Sequence, residues 1–335
     1  MRFTRLSITV AVILLGLFSV GAYVFFWVNQ ALLNVPKNAS TRYGVTFSHT
    51  YTTYLGLDPE QTYEALIEEL GVRAVRLPVY WSEIQTQPDE YHWDLTDRLV
   101  EFSEKNEVKL TMVVGTKVPR WPECYVPDWA EKLDNKDLQQ AALKMIETTV
   151  ERYKDSPAVE RWQVENEPFF AFGTCKPLSK SDWQARIDLV RRLDPTHPIQ
   201  ITVSGESEPW KTEAQSADIL GISMYRLSWN RVFGYFVYPL SPEFYYLRAK
   251  LVEKDVSRVI VSELQAEPWF SQAIASRPLS EWYHVFDEQM FRSNLQFVKE
   301  AHLSEVYLWG AEWWYLLKQN GDDRLWNVAK TLFNK

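Results

Sequence analysis

The sequence predicts an α/β fold, a single closed (β/α)8 TIM barrel preceded by an N-terminal transmembrane helix. Three observations carry that reading. Short apolar, β-branched runs recur eight times after residue 42, segments with helical spacing lie between them, and an uncharged apolar run stands ahead of them all. Of the 335 residues, 46% are hydrophobic and 24% charged, which is enough apolar material for one large core.

The leading run comes first. No charged residue occurs between Arg5 and Lys37, and Ile8 to Val28 is almost continuously apolar. As a helix this run is long enough to cross a hydrocarbon core of about 30 Å. A cleaved signal peptide would have an apolar region of about 7–15 residues followed by a small-x-small site. Ser19-Val20-Gly21 has that form but lies inside the run. The reading is therefore an uncleaved signal anchor at 7–28, with residues 1–6 cytoplasmic, because Arg2 and Arg5 follow the positive-inside rule. A linker is expected at 29–42. Residues 43–335 then form one extracytoplasmic domain, held at the cell membrane by a single pass through the lipid bilayer.

Eight strands are expected, at 43–49, 74–80, 110–116, 161–167, 199–206, 219–225, 258–265 and 305–313. Between the first two, Asp58 can cap the free amides of "PEQTYEALIEEL", Pro59 suits the first helical turn and Gly71 closes the helix. Asp94 opens the next helix, and further ones are expected at 137–153, 181–193, 242–254, 281–300 and 322–333. Residues 207–217 read as a loop with one turn. Alternating strands and helices require parallel strands joined by crossovers, and eight such units close a barrel. A doubly wound open sheet would carry a Gly-rich phosphate turn after its first strand, where this chain has Ser48-His49-Thr50-Tyr51.

A net charge of −8 and the absence of any Lys/Arg cluster argue against nucleic acid as a partner. The two cysteines, Cys124 and Cys175, have no metal-ligand spacing, and no metal or organic cofactor is implied. They fall in neighbouring loops, after the third and fourth strands, where a disulfide can tie the rim outside the cytoplasm.

Barrel active sites lie at the C-terminal ends of the strands. There the sequence places Arg76 and then Trp81 on the second strand, Asn166 and Glu167 on the fourth, Tyr225 on the sixth, Glu263 on the seventh and Trp309 on the eighth, with His49 closing the first. Two carboxylates facing each other are the minimum apparatus for glycoside hydrolysis, one protonating the leaving oxygen and the other attacking the anomeric carbon or activating water. A single strand-end glutamate is more often solvated or paired with arginine; the convergence of partners on five strands favours chemistry. Of fifteen tryptophans, Trp121, Trp129, Trp210, Trp229 and Trp269 fall in loops after strands, where indole faces stack on sugar rings or simply pack.

"ENEP" at the fourth strand, "VSELQAEPW" at the seventh, "AVRLPVYWSEIQTQPDEYHWD" across the second and "YLWGAEWW" at the eighth together resemble clan A of the glycoside hydrolases, the retaining (β/α)8 enzymes, over roughly 43–335. The third strand departs from family 5 in lacking the histidine found near its active site. The resemblance implies Glu167 as acid/base, Glu263 as nucleophile, Asn166 on the sugar 2-hydroxyl, Arg76 and Tyr225 orienting Glu263, and Trp309 beneath the reacting sugar. It also implies β-linked oligo- or polysaccharides as substrates. Period-two alternation puts Glu165 on the face of Glu167 but deeper, so Glu165 is expected to pair with an Arg or a Tyr. The expectation is a membrane-anchored retaining glycosidase. A non-catalytic glycan-binding barrel and a transglycosylase using the same glutamates are the alternatives.

Overall fold

The structure, a computed structural model, describes residues 5–33, 40–176 and 178–333. Eight parallel strands close the barrel: β1 (Arg42–Thr46), β2 (Ala74–Pro78), β3 (Lys109–Val114), β4 (Val159–Val164), β5 (Ile199–Val203), β6 (Ile219–Met224), β9 (Arg258–Gln265) and β10 (Glu305–Trp309). The remaining two, β7 (Leu227–Asn230) and β8 (Gly234–Val237), form an antiparallel hairpin beyond β6. Each neighbour in the barrel follows in chain order, and β1 pairs with β10 to close it. All eight expected barrel strands are present.

The strands form where expected because their side chains are buried on both faces. Val45, Val75, Met112, Trp162, Ile201, Ile222, Val261 and Leu308 are all fully buried, each large apolar side chain contributing roughly 1.5–3 kcal/mol on burial. Helix Pro59–Glu68 starts as its sequence directs, with the Asp58 carboxylate accepting from the Gln61 amide at 2.8 Å. Its apolar face, Leu66 and Ile67 included, packs in the main core. The lower end of the barrel is closed by charge, as the Arg161 guanidinium donates to Glu305 at 2.6 Å and the Tyr307 hydroxyl to the same oxygen at 2.9 Å.

Several boundaries differ from expectation. The fourth strand ends at Val164 rather than 167, because Glu165 (φ 62°) and Glu167 (φ 44°) are both left-handed. Period-two alternation therefore stops before either glutamate. The eighth strand ends at Trp309; Gly310 (φ 134°) turns the chain into helix Ala311–Gln319, which carries Glu312, Trp313 and Trp314. The first strand ends at Thr46, and His49 opens helix His49–Tyr54 instead of closing the strand. The helix expected at 281–300 is two, Leu279–Val285 and Glu288–Glu300, because Asp287 caps a new start at the Met290 amide. The one turn expected in 207–217 is helix Lys211–Ala214.

At the N-terminus helix Arg5–Leu33 covers the expected anchor and runs past 28 into the expected linker. Residues 1–4 and 34–39 lie outside the described residues, and with them most of the expected cytoplasmic stretch and part of the linker. Among the described residues no helix is long and apolar enough to cross a membrane. The C-terminal turn of this helix meets the domain, where the Tyr246 hydroxyl donates to the Ala31 carbonyl at 3.3 Å.

Gly115, at the end of β3, adopts φ 143°, and a Cβ there would collide with the Glu165 carboxylate. Gly115→Ala is expected to lower the unfolding free energy by about 2 kcal/mol or more, read as a fall in the urea midpoint; an unchanged midpoint would refute the crowding.

Candidate active site

Arg76 rises from the middle of β2 and is completely buried. Its guanidinium meets three neighbours: Glu263 Oε1 at 2.8 Å from β9, Asn166 Oδ1 at 2.6 Å just past β4, and Gln163 Oε1 at 2.7 Å within β4. The Tyr225 hydroxyl, just past β6, donates to the other Glu263 oxygen at 3.1 Å. Burial and the Glu263 charge push the Tyr225 hydroxyl well above its ordinary value, so it remains a donor. Each oxygen of Glu263 is thus held by its own donor, and its rotamer is fixed.

Glu167 lives in the opposite environment. Its amide donates to Thr202 Oγ1 at 2.9 Å, but its Oε1 is buried and accepts no hydrogen bond among the described residues. Burial first, then the charges of Glu263 and Glu123, push its carboxyl well above the usual carboxylate range. Those surroundings favour the neutral form of Glu167, and across the cleft Glu263 is gripped by a guanidinium. That split is the arrangement by which a pair of carboxyls divides acid and nucleophile roles.

Both glutamates line one cleft of about 1110 Å³ at the C-terminal mouth of the barrel, together with Tyr225, Trp269 and Trp309. Trp121 and Trp229 also line it, while Trp129 and Trp210 do not. Trp129 donates from its indole to the Gln85 carbonyl and packs edge-on against Trp81; Trp210 is buried beneath the Arg248 guanidinium. The five loop tryptophans therefore divide three to two between cleft and packing.

Two expected substrate contacts stand elsewhere. Trp81 is fully buried, its indole bonded to Gln85 Oε1 at 2.7 Å, and it does not line the cleft. His49 is buried edge-on against Tyr80, 4.9 Å between centroids, and is also absent from the lining. Both pack because the chain leaves the barrel in short helices at Trp81–Ile84 and His49–Tyr54, which turn these side chains inward. Asn166 and Arg76 are fully buried and do not line the cleft themselves; Arg76 donates to the cleft residue Glu263 and to Asn166, and Asn166 Nδ2 is a buried donor with no acceptor among the described residues.

Glu165 pairs with an arginine, as expected, but not inside the barrel. Its carboxylate accepts the Thr116 and Lys117 amides, the latter at 2.8 Å, and forms a buried ion pair with Arg186 of helix Lys180–Leu193. Cys124 and Cys175 are bonded, with a Cα–Cα distance of 4.7 Å, tying the loop after β3 to the loop after β4.

Two cleft residues escaped the sequence reading. Arg120 is buried between Glu267 and Glu312, the latter at 2.8 Å, with its guanidinium 3.9 Å from the Tyr51 ring and 4.1 Å from the Trp309 ring. Glu123 lies next to Cys124, 3.4 Å from the Lys117 ammonium. Both charges stand in "KVPRWPECY", the loop after the third strand, and that position beside a rim cysteine was the available signal.

The sequence profile of Glycosyl hydrolase family 10 matches residues 38–187, a stretch that holds Arg76, Asn166 and Glu167 but not Glu263. Beta-galactosidase LacZ of Heyndrickxia coagulans is 24% identical over 120 residues, which is 30% of this chain and 18% of that one. Among solved structures, the beta-galactosidase from Bacillus circulans sp. alkalophilus superposes with a TM-score of 0.61 at 12% identity, over 89% of this chain and 56% of its own. GH5_18 from Bifidobacterium longum subsp. longum gives 0.58 at 16% identity, over 81% and 70%. This chain thus spans only part of the length of the galactosidases it matches. In its closed barrel and in the profile match over 38–187, less than half of its length, this chain is similar to the clan A glycoside hydrolases.

Two outcomes follow from these environments. Burial holds His49 down to about 4, against an ordinary imidazole value of 6.5. The unfolded chain then takes the proton first, so stability is complete above about pH 6.5 and drains as pH falls toward 4, by up to about 3 kcal/mol. His49→Leu is expected to flatten that part of the stability-versus-pH curve, measured by urea unfolding. Arg120→Met leaves Glu267 and Glu312 buried without their cation and is expected to cost about 3–5 kcal/mol in the same assay; a loss below about 1 kcal/mol would mean the three groups are not coupled.

Proposed function

We propose that this protein hydrolyses β-linked O-glycosidic bonds with retention of configuration. One observation carries the reading: a buried Glu167, whose Oε1 has no hydrogen-bond partner among the described residues, and an arginine-gripped Glu263 share a single cleft. In the first step a Glu263 oxygen forms a bond to the anomeric carbon while the bond to the leaving oxygen breaks, and that oxygen takes the Glu167 proton. The glycosyl ester then waits for water. As the first product leaves, Glu167, now a carboxylate, removes a proton from water, whose oxygen displaces Glu263 and restores both groups.

The supporting groups act in both steps. Arg76 and Tyr225 keep Glu263 aimed, and the free Asn166 amide supplies a donor for a sugar hydroxyl. Trp309 and Trp269 offer indole faces to the ring. The first substrate class to examine is the β-galactosides, because two of the similar proteins are named beta-galactosidases.

The domain works outside the cytoplasm, tethered to a membrane by its N-terminal helix. Two features support this. Along that helix Ile13, Leu14, Leu15, Leu17 and Phe18 are exposed by 56–75%, an apolar surface with no place in water, and the rim disulfide suits an oxidising compartment. Fractionation that leaves full-length protein in the soluble phase would overturn the tether.

Aryl β-glycosides of several sugars are expected to be turned over, with Glu167→Ala and Glu263→Ala each reducing kcat/KM by about 100-fold or more. Proton NMR of the first-formed sugar is expected to show the β anomer. An α product would replace the double displacement with direct attack by water, and binding without turnover across the panel would make the barrel a glycan-binding protein.

A further inference from the structure

Among the described residues four carboxyls besides the reacting pair line the cleft, Glu83, Glu123, Glu206 and Glu267, and Glu123 is the one tied to the backbone of Glu167. Glu123 is only 5% exposed, lines the same cavity as Glu167 and Glu263, and sits in a loop built tightly around it. Its own backbone is left-handed, at φ 64°, its amide donates to the Arg120 carbonyl at 2.6 Å, and its carbonyl accepts the Val118 amide at 2.9 Å. The next residue is the disulfide-bonded Cys124. Across the strap, Gly173 approaches so closely that a Cβ there would stand 2.9 Å from the Glu123 Cβ.

Lys117 connects this carboxyl to the reacting one. Its ammonium lies 3.4 Å from Glu123 Oε2 and donates to the Glu167 carbonyl and the Phe170 carbonyl, both at 2.8 Å. One cation thus ties the Glu123 side chain to the backbone that carries Glu167. We propose that Glu123 is a positioning residue for the glycosidase reaction, one that fixes Glu167 through Lys117 and sets the pH range over which Glu167 can give up its proton. The inference rests on the glycosidase reading and goes beyond it, because it assigns a duty to a carboxyl that never touches the anomeric carbon.

The electrostatics agree with the geometry. The charged and titratable groups facing Glu123 are Lys117 from its own loop, Arg76 from β2, Tyr125 beyond Cys124, Glu263 from β9 and Glu167 after β4. Burial pushes the Glu123 carboxyl up to about 8, and Lys117 opposes that rise. Once ionised, Glu123 adds a negative charge that opposes ionisation of Glu167. Removing that charge while keeping the shape lets Glu167 lose its proton earlier.

Glu123→Gln is the test. The alkaline limb of kcat/KM is expected to move to lower pH by on the order of one unit, with the acid limb unmoved, and Glu123→Asp is expected to fall between variant and parent. If the glutamine variant does not fold, the aspartate variant alone decides by the same shift. A limb that stays in place, or an activity loss equal at every pH, overturns the inference. Carbon-13 titration of the Glu167 carboxyl in parent and variant reads the same shift without turnover. A parent inactive on every glycoside would defeat the glycosidase reading, while that titration would still decide whether Glu123 governs Glu167.

Discussion

The site depends on one guanidinium buried where no water reaches it. Arg76 stands at the centre of the barrel and joins β2 to β4 and β9 through Gln163, Asn166 and Glu263. A buried cation is stable only when its donors are met, and the residues that meet it include Glu263 and Asn166, the proposed nucleophile and the proposed substrate donor. The requirement that satisfies Arg76 therefore places the chemistry. Barrel closure fixes the three strands at the right separation, and the single side chain converts their register into the aim of a carboxylate.

Around that centre the same residue type is given unlike work by unlike surroundings. Glu263 has a donor on each oxygen, Glu167 has burial and two neighbouring acids, and Glu165 has two amides and Arg186. Glu165 and Glu167 are separated by one residue yet face different compartments, one behind the barrel wall and one into the cleft. Left-handed backbone at both positions makes that divergence possible, at a conformational cost of about 1–3 kcal/mol each. The tertiary hydrogen bonds at Thr116, Lys117, Arg186 and Thr202 offset it.

The barrel was legible because burial on both faces demands continuous β-branched runs, and the polar residues at their ends marked the mouth. Glu167, Glu263, Arg76 and Tyr225 all come together as their strand positions imply. Beyond the last ladder hydrogen bond strand geometry is an uneven guide: Glu167 and Tyr225 still reach the cleft, and other residues do not. Trp81 and His49 were expected at the cleft because they follow strands, but short helices turn them into the core, whereas Trp121 and Trp269 in longer loops do reach it. Arg120 and Glu123 were missed for a related reason. Their importance lies in which distant carboxylates and ammonium they meet, and that is set by how loops from separate strands pack, not by any local pattern.

The disulfide has a consequence for how such a protein can be altered. Cys124 and Cys175 lie on either side of helix Asn135–Tyr153, β4 and Glu167, so the bond closes a ring that contains one whole helix and the strand it leads into. Two rim loops that would otherwise move independently are thereby held as a pair. Exchange of either loop with that of another barrel breaks the ring, whereas transfer of 116–176 as one cassette carries Glu167, Lys117 and Glu123 together, leaving the recipient to supply partners equivalent to Thr202 and Arg186 as well as Glu263 with its Arg76 and Tyr225.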